Sequence, residues 1–236
     1  LRDLPSIWNH LMYSIYNDTV FVTYFDDVSH ANNDIESWKV DFSNFLERTH
    51  AHNLTIRVGK CTFCQESVEV LGYGIDHGTI VPTKRQRTLT LEIPIPTDKG
   101  ALKRYLGTLS YNSKFILNFG NLSEPFYKLL KQKVNFRKAW TPELELKWTK
   151  LTKTLQDYTV LEAPIWTEPF CLAVDASDYA TGACVFQVID NKFRFIELGY
   201  KVFSATQKNG WHSTEKEVWS VAHFLDKYDL KLSLHG

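Results

Sequence analysis

The 236 residues are 44% hydrophobic, enough apolar mass for one or two domains with a real core. Lys and Arg number 27 and Asp and Glu 27, so the formal charge is zero and no global basic field marks the chain as a polyanion binder. No apolar run approaches the roughly 18 residues of a membrane span, residues 1–25 carry no secretory leader pattern, and four scattered cysteines, Cys61, Cys64, Cys171 and Cys184, exclude a disulfide scaffold and point to a reducing compartment.

The charge is unevenly spread. Twelve Lys and Arg fall between Lys84 and Lys138 against Glu92, Asp98 and Glu124, a basic middle able to neutralise phosphates or to form a solvated helical face. Both ends read as cut from a longer chain. Leu1-Arg2-Asp3-Leu4-Pro5 enters a helix without leader or Met, and Gly236 follows the strand-like alternation of Leu230, Leu232 and Leu234.

In chain order, residues 5–16 read as a helix with Pro5 in its first turn, broken by Asn17-Asp18. Thr19 to Val28 follows as a buried strand of β-branched and aromatic residues that turns at Asp26-Asp27. Ionised Asp at such a place is costly unless paired or bound to metal, and hard oxygen ligands suit Mg²⁺. The alternative is a surface hairpin whose turn holds two acids. Asn32-Asn33-Asp34 offers a cap for a helix with Ile35, Trp38, Phe42, Phe45 and Leu46 on its apolar face, ending near residues 50–53. Leu54, Ile56 and Val58 alternate as a strand. Cys61 and Cys64 form a Cys-X-X-Cys pair with no second ligand pair for zinc, so both thiols are expected to pack. Val68 to Ile75 reads as a strand with glycines that admit close approach, His77-Gly78 as a turn, and Thr79-Ile80-Val81 as the return.

Ile93 to Thr97 is a Pro-marked extended linker. Ala101, Leu102, Tyr105, Leu106, Leu109, Phe115 and Ile116 outline a helical unit, and on its other edge Lys103, Gly107 and Tyr111 recur every four residues. That stripe either lies along a duplex groove, with Gly107 permitting close approach, or marks a glycine tolerated in a core helix. Thr141 caps a helix with Pro142 in its first turn, running to about Asp157. The Pro-marked stretch Val160 to Pro169 is a domain junction. Beyond it, Phe170 to Phe186 is strand, turn and strand with Asp175 ending the first. Strands at Phe193–Ile196 and Leu198–Phe203 follow, and then a helix capped by Ser213 or Thr214 and carrying Glu217.

Tyr24-Phe25-Asp26-Asp27 resembles the metal-binding box of the reverse transcriptase palm. Asp175-Ala176-Ser177 with Thr214-Glu215-Lys216-Glu217 resembles the ribonuclease H arrangement, an Asp on a central strand and a Glu on the following helix. Lys60-Cys61-Thr62-Phe63 with Val68 to Tyr73 is similar to the strand pair that grips a primer end, and Tyr105 to Tyr111 with Phe115 to Phe119 is similar to the thumb helix. Taken together, the chain resembles the reverse transcriptase and early ribonuclease H region of a gypsy-type LTR retrotransposon or retrovirus Pol polyprotein.

The resemblance implies a multidomain α+β and α/β fold: a partial palm at 1–92, a thumb or connection segment at 93–165, and the N-terminal part of a ribonuclease H-like domain at 166–236. It implies RNA-directed DNA polymerase and ribonuclease H chemistry with Mg²⁺ or Mn²⁺ held by Asp26, Asp27, Asp175 and Glu217. Leu71, Gly72, Tyr73, Lys103, Gly107 and Tyr111 would contact an RNA/DNA template-primer duplex, with dNTP as the other substrate. It further implies polyprotein segments or subunits as partners, no membrane, and a cytoplasmic particle or nuclear location. A further palm Asp, the fingers and the remaining ribonuclease H acids would lie outside residues 1–236. Phe25 sits where that family more often has an aliphatic residue or Met. The alternative is a non-catalytic scaffold that keeps the fold to bind nucleic acid or protein.

Overall fold

The computed structural model describes residues 3–131, 133 and 135–232, which fall into two compact units that divide between Gln65 and Glu66. In the first unit α1 (Leu4–Tyr16), with Pro at its start, leads into the hairpin β1 (Val22–Tyr24) and β2 (Asp27–Ser29), followed by α2 (Ile35–Ala51). Asp34 caps α2 by accepting from the Ser37 amide, as expected. Met12, Ile15 and Tyr16 form the core with Val28, Phe45 and Leu54. Tyr16 Oη and Thr49 Oγ1 share a buried hydrogen bond at 2.9 Å, and Arg48 takes Asp18 in a two-pronged pair at 2.7 and 2.9 Å.

Three expectations fail in this unit. The strand expected to be buried is exposed at Val22 (70%) and Tyr24 (52%), because a two-stranded ribbon leaves one face without a layer to cover it. Leu54, Ile56 and Val58 pair with no strand among the described residues, and Val58–Lys60 is a 3-10 turn. Cys64, expected to pack, is exposed, and Cys61 is half-buried.

The second unit opens with a meander, β3 (Ser67–Val70), β4 (Tyr73–Asp76) and β5 (Thr79–Pro82). The run Val68 to Ile75 is therefore a hairpin rather than one strand. Leu71 and Gly72 lie at φ 50° and 78°, the doubly left-handed turn that suits strand twist, and His77-Gly78 repeats it at 46° and 77°. Then come α3 (Lys84–Leu91), α4 (Lys99–Tyr111), a 3-10 turn at Ser113–Phe115, α5 (Phe119–Lys131), the short α6 (Phe136–Ala139) and α7 (Pro142–Lys153), capped by Thr141. The stretch read as a junction contributes β6 (Leu161–Glu162), which completes an antiparallel sheet of order β3-β4-β5-β6. A second sheet, β7-β8-β9, consists of Cys171–Ala176, Ala180–Ile189 and Lys192–Val202. The two strands expected between Phe193 and Phe203 are one, kinked by a bulge where Glu197 opposes Val185 and Phe195 opposes Phe186.

The short helix α8 (Ala205–Gly210), α9 (Ser213–Lys227) and α10 (Asp229–Leu232) end the described chain. His212, not Ser213 or Thr214, caps α9, its ring accepting from the Thr214 amide while Glu215 returns to the His212 amide at 2.7 Å. The alternation read at Leu230 and Leu232 is a helical turn; Leu234 lies outside the described residues. The main core joins Leu102, Leu106 and Leu109 of α4, Phe119, Phe126 and Leu129 of α5, Trp148 and Leu151 of α7, and Leu198 of β9. No helix among the described residues is long and apolar enough to cross a membrane.

Candidate functional site

In the first unit, Tyr24 pairs with Asp27 across a two-residue loop, Phe25-Asp26, so both Asp26 and Asp27 stand exposed at the hairpin tip. Phe25 is held at φ 53°, a conformation a bulky side chain rarely adopts, and its amide donates to Asn9 Oδ1 of α1 at 3.3 Å. Strain of this kind persists where surrounding structure fixes it and gathers at functional turns. The loop aims two adjacent carboxylates outward, a donor set whose hard oxygens fit Mg²⁺ or Mn²⁺.

In the second unit, the β3–β4 turn and the end of α4 form one assembly. Tyr73 and Tyr111 stack with ring centroids 5.6 Å apart and planes 2° from parallel, and Tyr111 Oη donates to the Leu71 carbonyl at 3.1 Å. Gln86 of α3 donates to the Gly72 carbonyl at 2.7 Å, and Lys114 Nζ lies 3.1 Å from the Tyr73 ring centre. Burial, helped by the Tyr111 hydroxyl, pushes the Tyr73 phenol up to about 12. A Cβ on Gly72 would meet Tyr111 Oη at 2.7 Å, so this glycine is required by the approach as well as by its φ of 78°. Lys103 and Gly107 lie exposed further back along the same face of α4, and a Cβ at Gly107 would meet nothing within 4 Å. Gly107 is therefore no packing glycine; the face it opens is free.

Asp175 is on β7, which among the described strands pairs with β8. It pairs with Gly182, on the face shared with Cys184, and lines a groove of about 290 Å³ together with Asn118, Asn121 and Tyr200. α9 packs against β7 over the other face, where Leu172 and Val174 meet Phe224 and Tyr228, and Glu217 is exposed on its second turn. The elements are thus brought together while strand alternation turns Asp175 from the face that α9 covers. The β7–β8 turn is fastened at both sides. Ser177 Oγ reaches Asn121 Oδ1 at 2.8 Å and accepts from the Tyr179 and Ala180 amides, and Asp178 pairs at 2.9 Å with the buried Lys216, which holds the Asp178 carboxyl below its usual range. Among the described residues no group of three or more His, Cys, Asp or Glu is placed to hold a metal ion.

Ser177 and Lys216 were legible only as members of the ribonuclease H-like motifs and Lys114 only as one charge of the basic middle, without their structural roles, and Gln86 was not singled out. The signal that could have found Gln86 is the Thr83-X-X-Gln86 capping box that opens α3.

Residues 140–233 match the family model described as an RNase H-like domain found in reverse transcriptase. An enzymatic polyprotein of cauliflower mosaic virus (strain Strasbourg) is 28% identical over 99% of the chain and 35% of its own length. The retrovirus-related Pol polyprotein from transposon 412 of Drosophila melanogaster is 28% identical over 73% of the chain and 14% of its own. The Gag-Pol polyprotein of gibbon ape leukemia virus is 27% identical over 91% and 12%. The chain thus spans about a third or less of these relatives. A foamy viral protease-reverse transcriptase in complex with dsDNA superposes with a TM-score of 0.84 at 18% identity, covering 98% of this chain and 48% of that one. The same viral protein in complex with RNA/DNA hybrid gives 0.82, covering 98% and 31%. The mixed α/β fold of this chain is therefore that of the foamy viral reverse transcriptase. Residues 140–233 are thus similar to the RNase H-like domain of reverse transcriptases, and the chain's relatives include polyproteins of viruses and retrotransposons.

Proposed function

We propose that this chain handles a nucleic-acid duplex as part of an RNA-directed DNA polymerase with a ribonuclease H domain. Residues 1–92 serve as palm, 93–165 as thumb or connection, and 166–236 as the first part of the ribonuclease H domain. The observation that carries the proposal is the assembly of the Leu71-Gly72-Tyr73 turn with Tyr111, which docks a rigid hairpin tip at the end of a helix whose Lys103 and Gly107 are open to solvent. A glycine without neighbours lets backbone come close to a phosphodiester chain, the lysine neutralises it, and the locked turn fixes the register. That solved relatives of this fold hold dsDNA and RNA/DNA hybrid supports the same substrate here.

Asp26 and Asp27 would hold Mg²⁺ or Mn²⁺ at the palm hairpin; in the ribonuclease H part Asp175 and Glu217 would contribute one carboxylate each from opposite faces of β7, so the pair alone does not close around one cation. Bound there, the cation supplies charge neutralisation at phosphate oxygens and acidifies an attacking hydroxyl or water. The chain's own share is positioning: Asn9 holds the hairpin loop, and Ser177 and the Asp178–Lys216 pair hold the turn beyond Asp175.

A second reading, a scaffold that binds duplex without chemistry, is favoured by one observation, that Asp175 is turned from the face of β7 that α9 covers and so from the helix carrying Glu217. Both readings require hybrid binding by the 236-residue chain. They part in a polypeptide extended to the length of the matching polyproteins. There Asp26→Asn with Asp27→Asn should abolish Mg²⁺-dependent primer extension, and Asp175→Asn should abolish hybrid cleavage. Hybrid binding with neither activity in that extended chain establishes the scaffold, and failure to bind hybrid sinks both.

A further inference from the structure

The second unit holds a pocket that the duplex reading does not use. It is a cavity of about 260 Å³ walled by Lys128 and Lys131 at the end of α5 and by Lys208 and Asn209 of α8, with Tyr127 and Tyr179 as its apolar lining. Tyr179 is 6% exposed, and two of the lysines sit on its face, Lys208 Nζ at 3.7 Å from the ring centre and Lys128 Nζ at 5.8 Å. Among the described residues Glu124 is the carboxylate that acts on Lys208, and it is engaged by Lys128 at 2.5 Å. Three ammonium groups against one carboxylate leave two positive charges unbalanced around one small cavity, in a chain whose total charge is zero.

We propose that this pocket is a phosphate-binding site, formed where α5, α8 and the β7–β8 turn meet and distinct from the face of α4. The chemistry selects the ligand in three steps. First, the Lys208 and Lys128 ammonium groups lie over the face of a buried aromatic ring whose negative quadrupole attracts them, so two of the three charges are drawn to the cavity before any ligand arrives. Second, a phosphate monoester carries roughly −1.5 to −2 at neutral pH, which matches the surplus, and its several oxygens can each meet a different lysine as a point charge. Third, the cavity is smaller than the roughly 300–1,000 Å³ of sites that enclose drug-sized ligands, so it takes the phosphate group and leaves a sugar or strand outside. Lys208 already reports the crowding. Burial and its neighbours Lys131 and Lys128 hold its ammonium below the ordinary lysine range, against the pull of Glu124. The phosphate belongs either to a free phosphorylated small molecule or to a nucleic-acid strand, whose diester brings a single charge and leaves part of the surplus unmet, and the test separates them.

The measurement is pulse acetylation of the 236-residue chain at pH 8, read lysine by lysine by mass spectrometry. Potassium phosphate at about 10 mM, compared with potassium chloride of equal ionic strength, should slow Lys208 acetylation about threefold or more, since an adjacent anion raises the ammonium's pKa. Lys192 is the control. It opens β9 opposite Ile189, at the far end of the ten-residue β8 and about 30 Å from Tyr179 at roughly 3.3 Å per residue, and its rate should not change. If an RNA/DNA hybrid also protects Lys208, and Lys131→Gln lowers the salt slope of hybrid binding by about one, the phosphate is that of a strand. If inorganic phosphate or a nucleoside monophosphate protects and the hybrid does not, the site serves a free phosphorylated molecule. Equal Lys208 rates in phosphate, hybrid and chloride overturn the site while leaving the α4 face untouched, because hybrid binding itself is scored separately.

Discussion

Replacing Gly107 by Leu should stabilise the chain and at the same time damage its proposed duplex face. A Cβ at this exposed position meets nothing within 4 Å outside its own stretch of helix, so the Leu side chain starts out into solvent. Gly in a helix interior costs roughly 0.8–1.0 kcal/mol relative to Ala while Leu lies near Ala, and Gly107 is well inside the thirteen-residue α4. The expected gain is about 0.5–1 kcal/mol, which raises Tm by about 1–4 °C for a chain of this size. If backbone at 107 lies against a duplex, the same side chain stands in its path. Binding of an RNA/DNA hybrid, followed by fluorescence anisotropy, should weaken about tenfold or more, equivalent to about 1.4 kcal/mol, with Gly107→Ala between the two. A rise in Tm with unchanged affinity refutes the duplex face. A fall in Tm refutes the reading of Gly107 as an open position.

Gly72→Ala forces a left-handed backbone costing about 1–2 kcal/mol and drives a methyl onto Tyr111 Oη, so Tyr111→Phe, itself worth about 0.5–1.5 kcal/mol, should partly rescue it. Urea melts of the four-member cycle test this, and costs that add within about 0.5 kcal/mol would show that the two positions do not touch. Asp26→Asn with Asp27→Asn, in an Asp175→Asn background, should leave metal-free stability equal or higher by removing a like-charge pair, and should abolish the rise in Tm that Mn²⁺ gives the background chain. Equal Mn²⁺ responses would exclude the hairpin as a metal site. Burial pushes the Tyr179 phenol up to about 12, as it does Tyr73, whereas unfolded tyrosine ionises near 10. The unfolded chain therefore sheds these protons first, and their stabilisation, complete below pH ~10, is lost as pH rises toward 12. The urea midpoint should fall over that window less steeply in Tyr179→Phe, and identical slopes would contradict the assignment.

What the sequence disclosed and what it hid follow from how local each determinant is. Helices α2 and α7 were legible because Asp34 and Thr141 cap them within four residues, and the β7–β8 turn because Asp-Ala-Ser-Asp interrupts two apolar runs. The β3–β4 hairpin was not, since its turn places Leu71, a residue without turn preference, at φ 50°, and the Tyr111 hydroxyl that satisfies its carbonyl comes from forty residues away. Helix α5 was hidden by Pro125 in its interior, and the bulge in β9 looked like a gap between strands. His212 was passed over as a cap because serine and threonine beside it are the commoner choices. Of the candidate residues, Leu71, Gly72 and Tyr73 were named from resemblance and Tyr111 from its four-residue recurrence with Lys103 and Gly107, but the stack and hydrogen bond that join Tyr111 to the turn are not visible in either. Asp175 and Glu217 were legible as types, while the face each side chain takes depends on strand register and helix packing.

The central claim, that a duplex lies along the open face of α4, is met most directly by photo-crosslinking. A photoreactive amino acid placed singly at Lys103, Gly107 or Lys192 of the 236-residue chain would be irradiated with a labelled RNA/DNA hybrid. The account predicts crosslinks from 103 and 107 that unlabelled hybrid competes away, and none from 192. Equal labelling from all three positions, or none from 103 and 107 under conditions where the hybrid is bound, would contradict it.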